Sequence, residues 1–236
     1  MEADERIHFI GIGGSGMSPL AHIMSGLGWR VSGSDIRYSP HLADLAAIGA
    51  QVYQGHDVSV VRGAAKVVVS AAVPQGDPEL VAARGLGIPV TTRAELLGEI
   101  MRPRRGVAVT GTHGKTTTSA MIALIMEEAG LDPTVAVGAG LPWLPTGGKA
   151  GHGEFMVVEA DEAYRSFLKL DPEVAVVTNI DDDHRDHYGS FDAIVEAFAQ
   201  FLERIKPLGF AVLCADDPNV TRAASRLKRR VVRYAV

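Results

Sequence analysis

The segment from Thr110 to Thr118 has the composition of a phosphate-binding loop. It contains the tripeptide Gly114-Lys115-Thr116 and lies between an apolar run and a helical stretch. Backbone N–H groups of such a loop can surround phosphate oxygens, its lysine can reach the β and γ oxygens, and its threonine hydroxyl can coordinate Mg²⁺. The full pattern G-x-x-x-x-G-K-[ST] is not met, because Val109 stands in place of its first glycine. The residues that we expect to contact a nucleotide are Gly111, Thr112, His113, Gly114, Lys115, Thr116 and Thr117.

Acidic and histidine side chains follow two later apolar runs. Glu159 ends the run 155–159, and His184 comes soon after the run 174–178. Because ligands of parallel sheets bind beyond the carboxyl ends of the strands, Glu159 and His184 are expected near Thr116. These three residues are the predicted Mg²⁺ ligands. A zinc site that includes His184 and His187 is a weaker alternative, since no cysteine lies nearby.

A second glycine-rich segment lies near the N-terminus. Gly11, Gly13 and Gly16 form a G-x-G-x-x-G pattern directly after an apolar run and directly before a helical stretch. This context is typical of a turn that brings the backbone and a helix N-terminus to a diphosphate. Asp35 ends the next predicted strand, about where a ribose-binding carboxylate is expected. A nicotinamide or flavin dinucleotide and a UDP-sugar fit this spacing equally well.

Ser70 follows another predicted strand of the N-terminal half. Its hydroxyl could donate to a phosphate or to a sugar hydroxyl, or the residue could simply end the strand. The spacing does not decide between these interpretations.

The elements that must position these residues alternate along the chain. Short apolar runs are separated by turns and by helical stretches, and this alternation predicts βαβ units with parallel sheets. The runs 155–159, 174–178 and 210–214 are almost continuously apolar, as is typical of central strands covered on both faces. The fold class is therefore predicted to be α/β.

A basic segment that contains a proline, 101–105, separates two such alternating patterns. Interdomain linkers often have this composition. The sequence therefore predicts a Rossmann-like domain over 1–102 and a P-loop domain with a parallel sheet over 103–236.

The overall composition excludes several classes of protein. The chain has 236 residues, a formal net charge of -5 and one cysteine, Cys214. This balance argues against a general nucleic-acid binder, and a single cysteine excludes a disulfide framework. The acidic N-terminus is unlike a signal peptide, and no apolar run is long enough to span a bilayer. We expect a cytoplasmic protein with neither nucleic-acid nor membrane partners.

The motifs taken together resemble the Mur ligases of peptidoglycan synthesis. The resemblance rests on HFIGIGGSGMS at 8–18, VSGSD at 31–35, GTHGKTTT at 111–118, and EADE at 159–162 followed by TNI at 178–180 and DH at 183–184. Its N-terminal part is most similar to the alanine-adding branch and to the related murein-peptide ligases.

The resemblance implies a substrate for each predicted domain. The first domain would bind UDP-N-acetylmuramate, not NAD, and the second would bind ATP and Mg²⁺. Lys115, Glu159 and His184 would be the catalytic residues, and L-alanine would be joined to the muramate carboxylate through an acyl phosphate. The contacts that this implies for the UDP-sugar are Gly13, Gly14, Ser15, Gly16, Asp35 and Ser70.

Two departures from the family pattern limit these expectations. The run Ala163-Tyr164-Arg165 replaces the usual Ser-Asp-Ala, which leaves the amino-acid specificity open. Family members also carry a C-terminal domain, so we expect this chain to be a fragment that does not complete ligation alone. A non-catalytic binding module and a dinucleotide oxidoreductase are the alternatives, and Lys115 and Thr116 argue against the second.

Overall fold

The computed structural model describes residues 5–183 and 185–235. By their internal contacts, these residues divide into two compact units. The first unit comprises Met1–Leu96 together with Thr134–Gly151, and the second comprises Leu97–Pro133 together with His152–Val236. The chain therefore leaves the first unit, returns to it once, and then completes the second.

The first unit contains a parallel sheet of five strands in the order β3-β2-β1-β4-β5. Ile10 at the end of β1 is paired with Ser34 of β2 on one side and with Val69 of β4 on the other. The carboxyl ends of these three strands therefore lie together, next to the glycine-rich segment. The strands are β1 (Arg6–Ile10), β2 (Arg30–Asp35), β3 (Gln51–Gln54), β4 (Lys66–Val69) and β5 (Val90–Thr92).

Helices make three of the four connections between these strands, while turns alone lead from β3 to β4. They are α1 (Met17–Gly26), α2 (Pro40–Ala47) and α3 (Pro78–Gly85), while α4 (Arg93–Met101) leads into the second unit. The returning segment forms an antiparallel pair, β7 (Thr134–Ala136) and β8 (Gly148–Lys149), which packs on α1. This packing is close, since a Cβ atom on Gly148 would lie 2.1 Å from the carbonyl oxygen of Pro19.

The strands of the second unit are parallel and run in the order β12-β11-β10-β6-β9. Thr110 at the end of β6 is paired with Val177 of β10, and Val109 is paired with Glu159 of β9. This register brings the phosphate-binding loop and the ends of β9 and β10 to one edge. The strands are β6 (Arg105–Thr110), β9 (Phe155–Glu159), β10 (Val174–Val177), β11 (Phe210–Cys214) and β12 (Arg230–Tyr234).

The helices of the second unit pack on this sheet or on one another. The amphipathic helix α7 begins at the N-cap Ser190, whose side chain accepts from the backbone N–H of Ala193, and it buries Phe198 and Phe201. The helices are α5 (Lys115–Glu128), α6 (Arg185–Tyr188), α7 (Phe191–Glu203) and α8 (Pro218–Ala223), with 3₁₀ segments at Ala163–Lys169 and Ala224–Arg226.

The α/β fold class predicted from the sequence is confirmed, with parallel pairing among β1 to β5 and among β6 and β9 to β12. The predicted boundary at residue 102 differs from the structural division after Leu96, and the return of 134–151 to the first unit was not predicted. The assignment of one ligand to each predicted domain stays a prediction. Among the residues that the structure describes, no helix is both long and apolar enough to cross a bilayer.

Candidate functional site

The phosphate-binding loop joins the end of β6 to the start of α5. Two of its glycines adopt backbone angles that other residues rarely take, with φ of 137° at Gly111 and 82° at Gly114. Gly111 also lies against the end of β10, because a Cβ atom there would be 2.1 Å from Thr178 Oγ1. The first position therefore requires glycine for space as well as for conformation.

Lys115 is held inside this loop by three oxygen atoms. Its Nζ donates to Glu162 Oε1 at 2.8 Å, to the carbonyl oxygen of Gly111 at 2.7 Å and to that of Thr112 at 3.2 Å. The Lys115 side chain is 16% exposed and the Glu162 side chain is 3% exposed. Burial raises the pKa of Glu162, and the hydrogen bond and charge of Lys115 oppose that rise. The ammonium group is thus fixed in place and partly desolvated.

Glu162 was not among the site residues predicted from the sequence. It precedes the 3₁₀ segment Ala163–Lys169, whose Phe167 stacks on Phe201 with ring centroids 5.0 Å apart. The hydroxyl of Tyr188 donates to the backbone carbonyl of Glu162. Burial is the main cause that raises the pKa of Tyr188 to about 12, so this hydroxyl keeps its proton at neutral pH.

The run that departs from the family pattern is strained. Tyr164 and Arg165 both have positive φ, 53° and 56°, in a region that costs roughly 1 to 2 kcal/mol for a residue with a Cβ atom. The Tyr164 ring contacts the ring of His187, and the Arg165 guanidinium lies over the Tyr188 ring. Such strain is concentrated at functional sites in many proteins, and here it lies directly after Glu162.

Thr116 and Glu159 are brought together as predicted, with 3.0 Å between Thr116 Oγ1 and Glu159 Oε1. A hydroxyl and a carboxylate are hard oxygen donors of the kind that Mg²⁺ prefers beside a phosphate. These two residues therefore fit the predicted metal. His184, the third predicted ligand, lies outside the described residues, and its role stays a prediction.

Residues after β10 support the loop from its other side. The Asn179 side chain accepts from the His113 N–H at 2.8 Å and donates to the His113 carbonyl at 2.9 Å. The Asp181 N–H donates to Thr112 Oγ1 at 2.8 Å. The His113 side chain itself is 71% exposed, and Thr117 is exposed in the first turn of α5. Asn179 therefore acts on the loop backbone, which leaves the His113 ring available to a ligand.

A cleft of about 700 Å³ opens beside the loop in the second unit. Asp217 lines this cleft, caps α8, and accepts from the Ile180 N–H through its Oδ2 at 2.8 Å. The lining residues are His113, Gly114, Thr118, Thr178, Asn179, Ile180, Asp181, Cys214, Asp216, Asp217, Pro218, Asn219 and Tyr234. A planar base connected to phosphates in the loop could enter this space.

The glycine-rich segment of the first unit is hydrogen-bonded to Asp35. The Gly13 N–H donates to Asp35 Oδ2 at 2.9 Å, while Asp35 Oδ1 accepts from the Arg37 N–H. A Cβ atom on Gly13 would lie 2.8 Å from Ser39 Oγ and 3.0 Å from the Asp35 carboxylate. In the described structure, Asp35 therefore shapes the turn, and its predicted contact with a sugar nucleotide stays a prediction.

The remaining predicted residues of the first unit surround this turn. Gly14 and Ser15 form its outer part, and Ser15 is exposed. Ser70 lies behind Gly11, since a Cβ atom on Gly11 would be 3.2 Å from Ser70 Cβ. Ser70 thus reaches the same end of the sheet as the glycines.

Arg93 was missed by the sequence analysis. Its guanidinium contacts Gly16, where an added Cβ atom would lie 2.9 Å from Arg93 Nη1. The sequence did contain a signal, because Thr92 and Glu95 form a capping box that starts α4 at Arg93. That box at the end of β5 indicates that Arg93 lies near the carboxyl edge of the sheet, beside the glycine-rich turn.

Comparisons with protein families agree with both glycine motifs. Residues 6–105 match the model of the Mur ligase family catalytic domain, and residues 109–236 match that of the Mur ligase middle domain. The chain belongs to the Mur ligase family.

Within this family, the chain is similar to ligases that are named for alanine. The chain is 51% identical to a UDP-N-acetylmuramate–L-alanine ligase of Maricaulis maris, over 97% of the chain and 49% of that protein. It is similar to the structure of a UDP-N-acetylmuramate-alanine ligase from Thermotoga maritima, with a TM-score of 0.86, 30% identity and coverage of 98% of the chain and 52% of that structure.

A ligase named for a murein tripeptide is also similar in structure. The UDP-N-acetylmuramate:L-alanyl-gamma-D-glutamyl-meso-diaminopimelate ligase from Neisseria meningitides has a TM-score of 0.88 and 29% identity, over 97% of this chain and 77% of that one. The chain spans about half the length of the curated relatives that it matches.

Proposed function

We propose that this chain binds UDP-N-acetylmuramate and ATP as part of a ligase that joins L-alanine to the muramate carboxylate. The observation that carries the proposal is the loop in which Lys115 is held by Glu162 while Thr116 faces Glu159. The 51% identity to an alanine ligase favours L-alanine as the amino acid.

In this proposal, the second unit binds the nucleotide. The backbone N–H groups of the loop and the Lys115 ammonium group receive the phosphates, and the cleft lined by Asn179 and Tyr234 receives the base. Phosphate oxygens would replace Glu162 or the loop carbonyls as partners of Lys115.

Thr116 and Glu159 would hold the Mg²⁺ ion, and His184 stays the proposed third metal ligand. The metal would supply positive charge that stabilises the transferred phosphoryl group. Lys115 supplies charge to the same oxygens from the protein side. A carboxylate is a poor acceptor for an amine, and its conversion to an acyl phosphate provides the leaving group that ligation needs.

The first unit would bind the UDP-sugar. Its glycine-rich turn presents Gly13, Gly14, Ser15 and Gly16 at the N-terminus of α1, where a diphosphate is stabilised by backbone N–H groups and by the helix dipole. The Arg93 guanidinium beside Gly16 adds a positive charge. Asp35 and Ser70 would contribute from the neighbouring strands.

Calorimetry on the full chain tests the nucleotide half of the proposal. Lys115→Ala should weaken binding of a non-hydrolysable ATP analogue with Mg²⁺ by roughly tenfold or more, because it removes charge-assisted hydrogen bonds to phosphate. Lys228→Ala changes an exposed lysine and should bind like the unmodified chain. Equal affinity of all three proteins would contradict the proposal.

A separate titration tests the sugar-nucleotide half. UDP-N-acetylmuramate should bind saturably and NADH should not, since the resemblance assigns the glycine-rich turn to a UDP-sugar. Arg93→Ala should weaken UDP-N-acetylmuramate without changing ATP-analogue binding. Saturable heat with NADH and none with UDP-N-acetylmuramate would favour a dinucleotide-binding protein instead.

A further inference from the structure

A cluster of metal-ligating side chains lies in the first unit and takes no part in the proposed function. It consists of His56, which follows β3, and of Asp77 and Glu79 at the start of α3. One ligand atom from each of these residues lies within 4.8 Å of the other two. We refer to these three residues as the His56 cluster.

Two distances within the His56 cluster are close to those between ligands of one ion. His56 Nδ1 is 3.0 Å from Asp77 Oδ2 and 3.8 Å from Glu79 Oε2. Ligand atoms bound to tetrahedral zinc at their usual bond lengths lie roughly 3.3 Å from one another. The two observed separations from His56 bracket that value, and the ligand oxygens of Asp77 and Glu79 lie within 4.8 Å of each other.

His56 Nδ1 is not used by a hydrogen bond in the described structure. The atom is shielded from solvent, and its contact with Asp77 lacks hydrogen-bond geometry despite the 3.0 Å distance. A buried ring nitrogen beside two carboxylates is an arrangement that a cation would satisfy. The His56 side chain as a whole is 14% exposed, so the cluster lies close to the surface of the unit.

The two carboxylates are held in place by neighbouring groups. Asp77 Oδ1 caps α3 by accepting from two backbone N–H groups, which leaves Oδ2 facing His56. Glu79 is fully buried, and its Oε1 accepts from the Asp57 N–H. Its Oε2, the atom that faces His56, accepts from Ser34 and is hydrogen-bonded to His8, so an ion there would share this oxygen with them or displace one of them. In metal sites, such outer hydrogen bonds orient the ligating carboxylates.

Glu79 is also paired with His8, whose Nε2 lies 3.2 Å from Glu79 Oε2. Asp77 is buried beside it. Buried charges in proteins are paired or bind metals, and the His56 imidazole suits a metal bound beside the two carboxylates.

We propose that His56, Asp77 and Glu79 form a binding site for a divalent transition metal, with zinc as the best match. One imidazole nitrogen and two carboxylate oxygens are a donor set that zinc accepts, with a fourth position left for water. Mg²⁺ and Ca²⁺ prefer oxygen donors alone, so the nitrogen selects against them. The ion would link the segment after β3 to the start of α3.

Titration of the metal-free full chain with Zn²⁺, in the presence of millimolar Mg²⁺, tests the proposal. The Mg²⁺ fills oxygen-donor sites such as the one at Thr116 and Glu159. We expect one Zn²⁺ per chain and a rise in the midpoint of thermal unfolding of this unit. Absence of saturable Zn²⁺ binding would overturn the proposal.

Two variants assign the ion to the His56 cluster. His56→Ala and Asp77→Asn should each weaken Zn²⁺ binding at least tenfold, and asparagine still caps a helix, so the second variant should keep its fold. His152→Ala removes an exposed histidine and should bind Zn²⁺ normally. Unchanged affinity in both cluster variants would place the zinc elsewhere and reject the site.

Replacement of Zn²⁺ by Co²⁺ identifies the ligand atoms independently, by the visible absorption of the bound Co²⁺. Nitrogen and oxygen donors should give weak visible bands that disappear in His56→Ala. A strong sulfur charge-transfer band would instead show binding at Cys214 and would overturn the assignment.

Discussion

Glu162 is a buried carboxyl that both supports the phosphate-binding loop and lowers the stability of the fold at neutral pH. Its pKa is raised from 4.5 by burial, although Lys115 opposes the rise. The unfolded chain therefore releases this proton at a lower pH than the folded chain does. Between the ordinary glutamate pKa and the pKa in the folded chain, the folded state holds more bound protons than the unfolded state does. Stability therefore falls as the pH rises through this range.

We therefore predict that Glu162→Gln flattens the pH dependence of stability. Within that pH range, the free energy of unfolding of the unmodified chain should fall by up to about 1.4 kcal/mol per pH unit because of this group. The variant should not show this fall. Urea unfolding at a series of pH values starting near the ordinary glutamate pKa measures the difference. Parallel curves for the two proteins would show that the Glu162 pKa is not raised.

The two glycines of the phosphate-binding loop should differ in their tolerance of a side chain. Gly111→Ala places a Cβ atom 2.1 Å from Thr178 Oγ1 and should cost about 3 kcal/mol or more. Gly114 also has positive φ but has no heavy atom within 4 Å of its added Cβ atom, so Gly114→Ala should cost only about 1 to 2 kcal/mol. Chemical unfolding of both variants checks the order, and equal losses would contradict it.

At the scale of elements, Asp217 links the start of α8 to the cleft beside the loop at Lys115. Asp217 accepts from the N–H groups of Asn219 and Val220 and also from that of Ile180, at the end of β10. Removal of this side chain should therefore loosen both the helix start and one wall of the cleft.

Asp217→Ala is predicted to cost about 1 to 2 kcal/mol of stability and to weaken binding of the ATP analogue. Ser190→Ala removes the N-cap of α7 away from the cleft and should cost about 1 kcal/mol without changing nucleotide affinity. Unfolding and calorimetry on both variants separate the two effects. Unchanged nucleotide binding by Asp217→Ala would exclude a role for this cap in the cleft.

The elements that the sequence predicted well are those with strong local patterns. The apolar runs of β6, β9, β10 and β11 were found because burial on both faces leaves a compact signature. The position of the loop at Lys115, between a strand and a helix, was found because its glycine-lysine-threonine motif is compact as well. Glu162 and Arg93 were missed because their roles depend on contacts between distant segments. The strand pair β7 and β8 was missed because runs of three and two residues show no usable periodicity.

At the scale of the whole molecule, the first unit is built from two separate parts of the chain. Residues 134–151 pack on α1, where Gly148 lies against Pro19 and Gly26 lies against Ala150. A chain cut after residue 102 would leave this face of α1 without its cover. Exposed apolar surface lowers stability in proportion to the area that is lost.

We predict that residues 1–102 alone unfold at a lower temperature than a chain in which 134–151 are attached to them by a flexible glycine-serine linker. Thermal unfolding followed by circular dichroism measures both midpoints. Gly148→Ala in the linked chain should abolish the gain, because its Cβ atom cannot be accommodated beside Pro19. Equal midpoints for the cut and linked chains would show that the β7–β8 segment adds no stability.

The same return of the chain affects the order of events during translation. A protein is made from its N-terminus, and domains generally fold as units while they emerge from the ribosome. The first unit cannot be completed until Gly151 has emerged, by which time the loop at Lys115 and all of α5 are already outside. The two units therefore mature during overlapping periods, and a ribosome that stalls between residues 102 and 133 would hold an unfinished first unit.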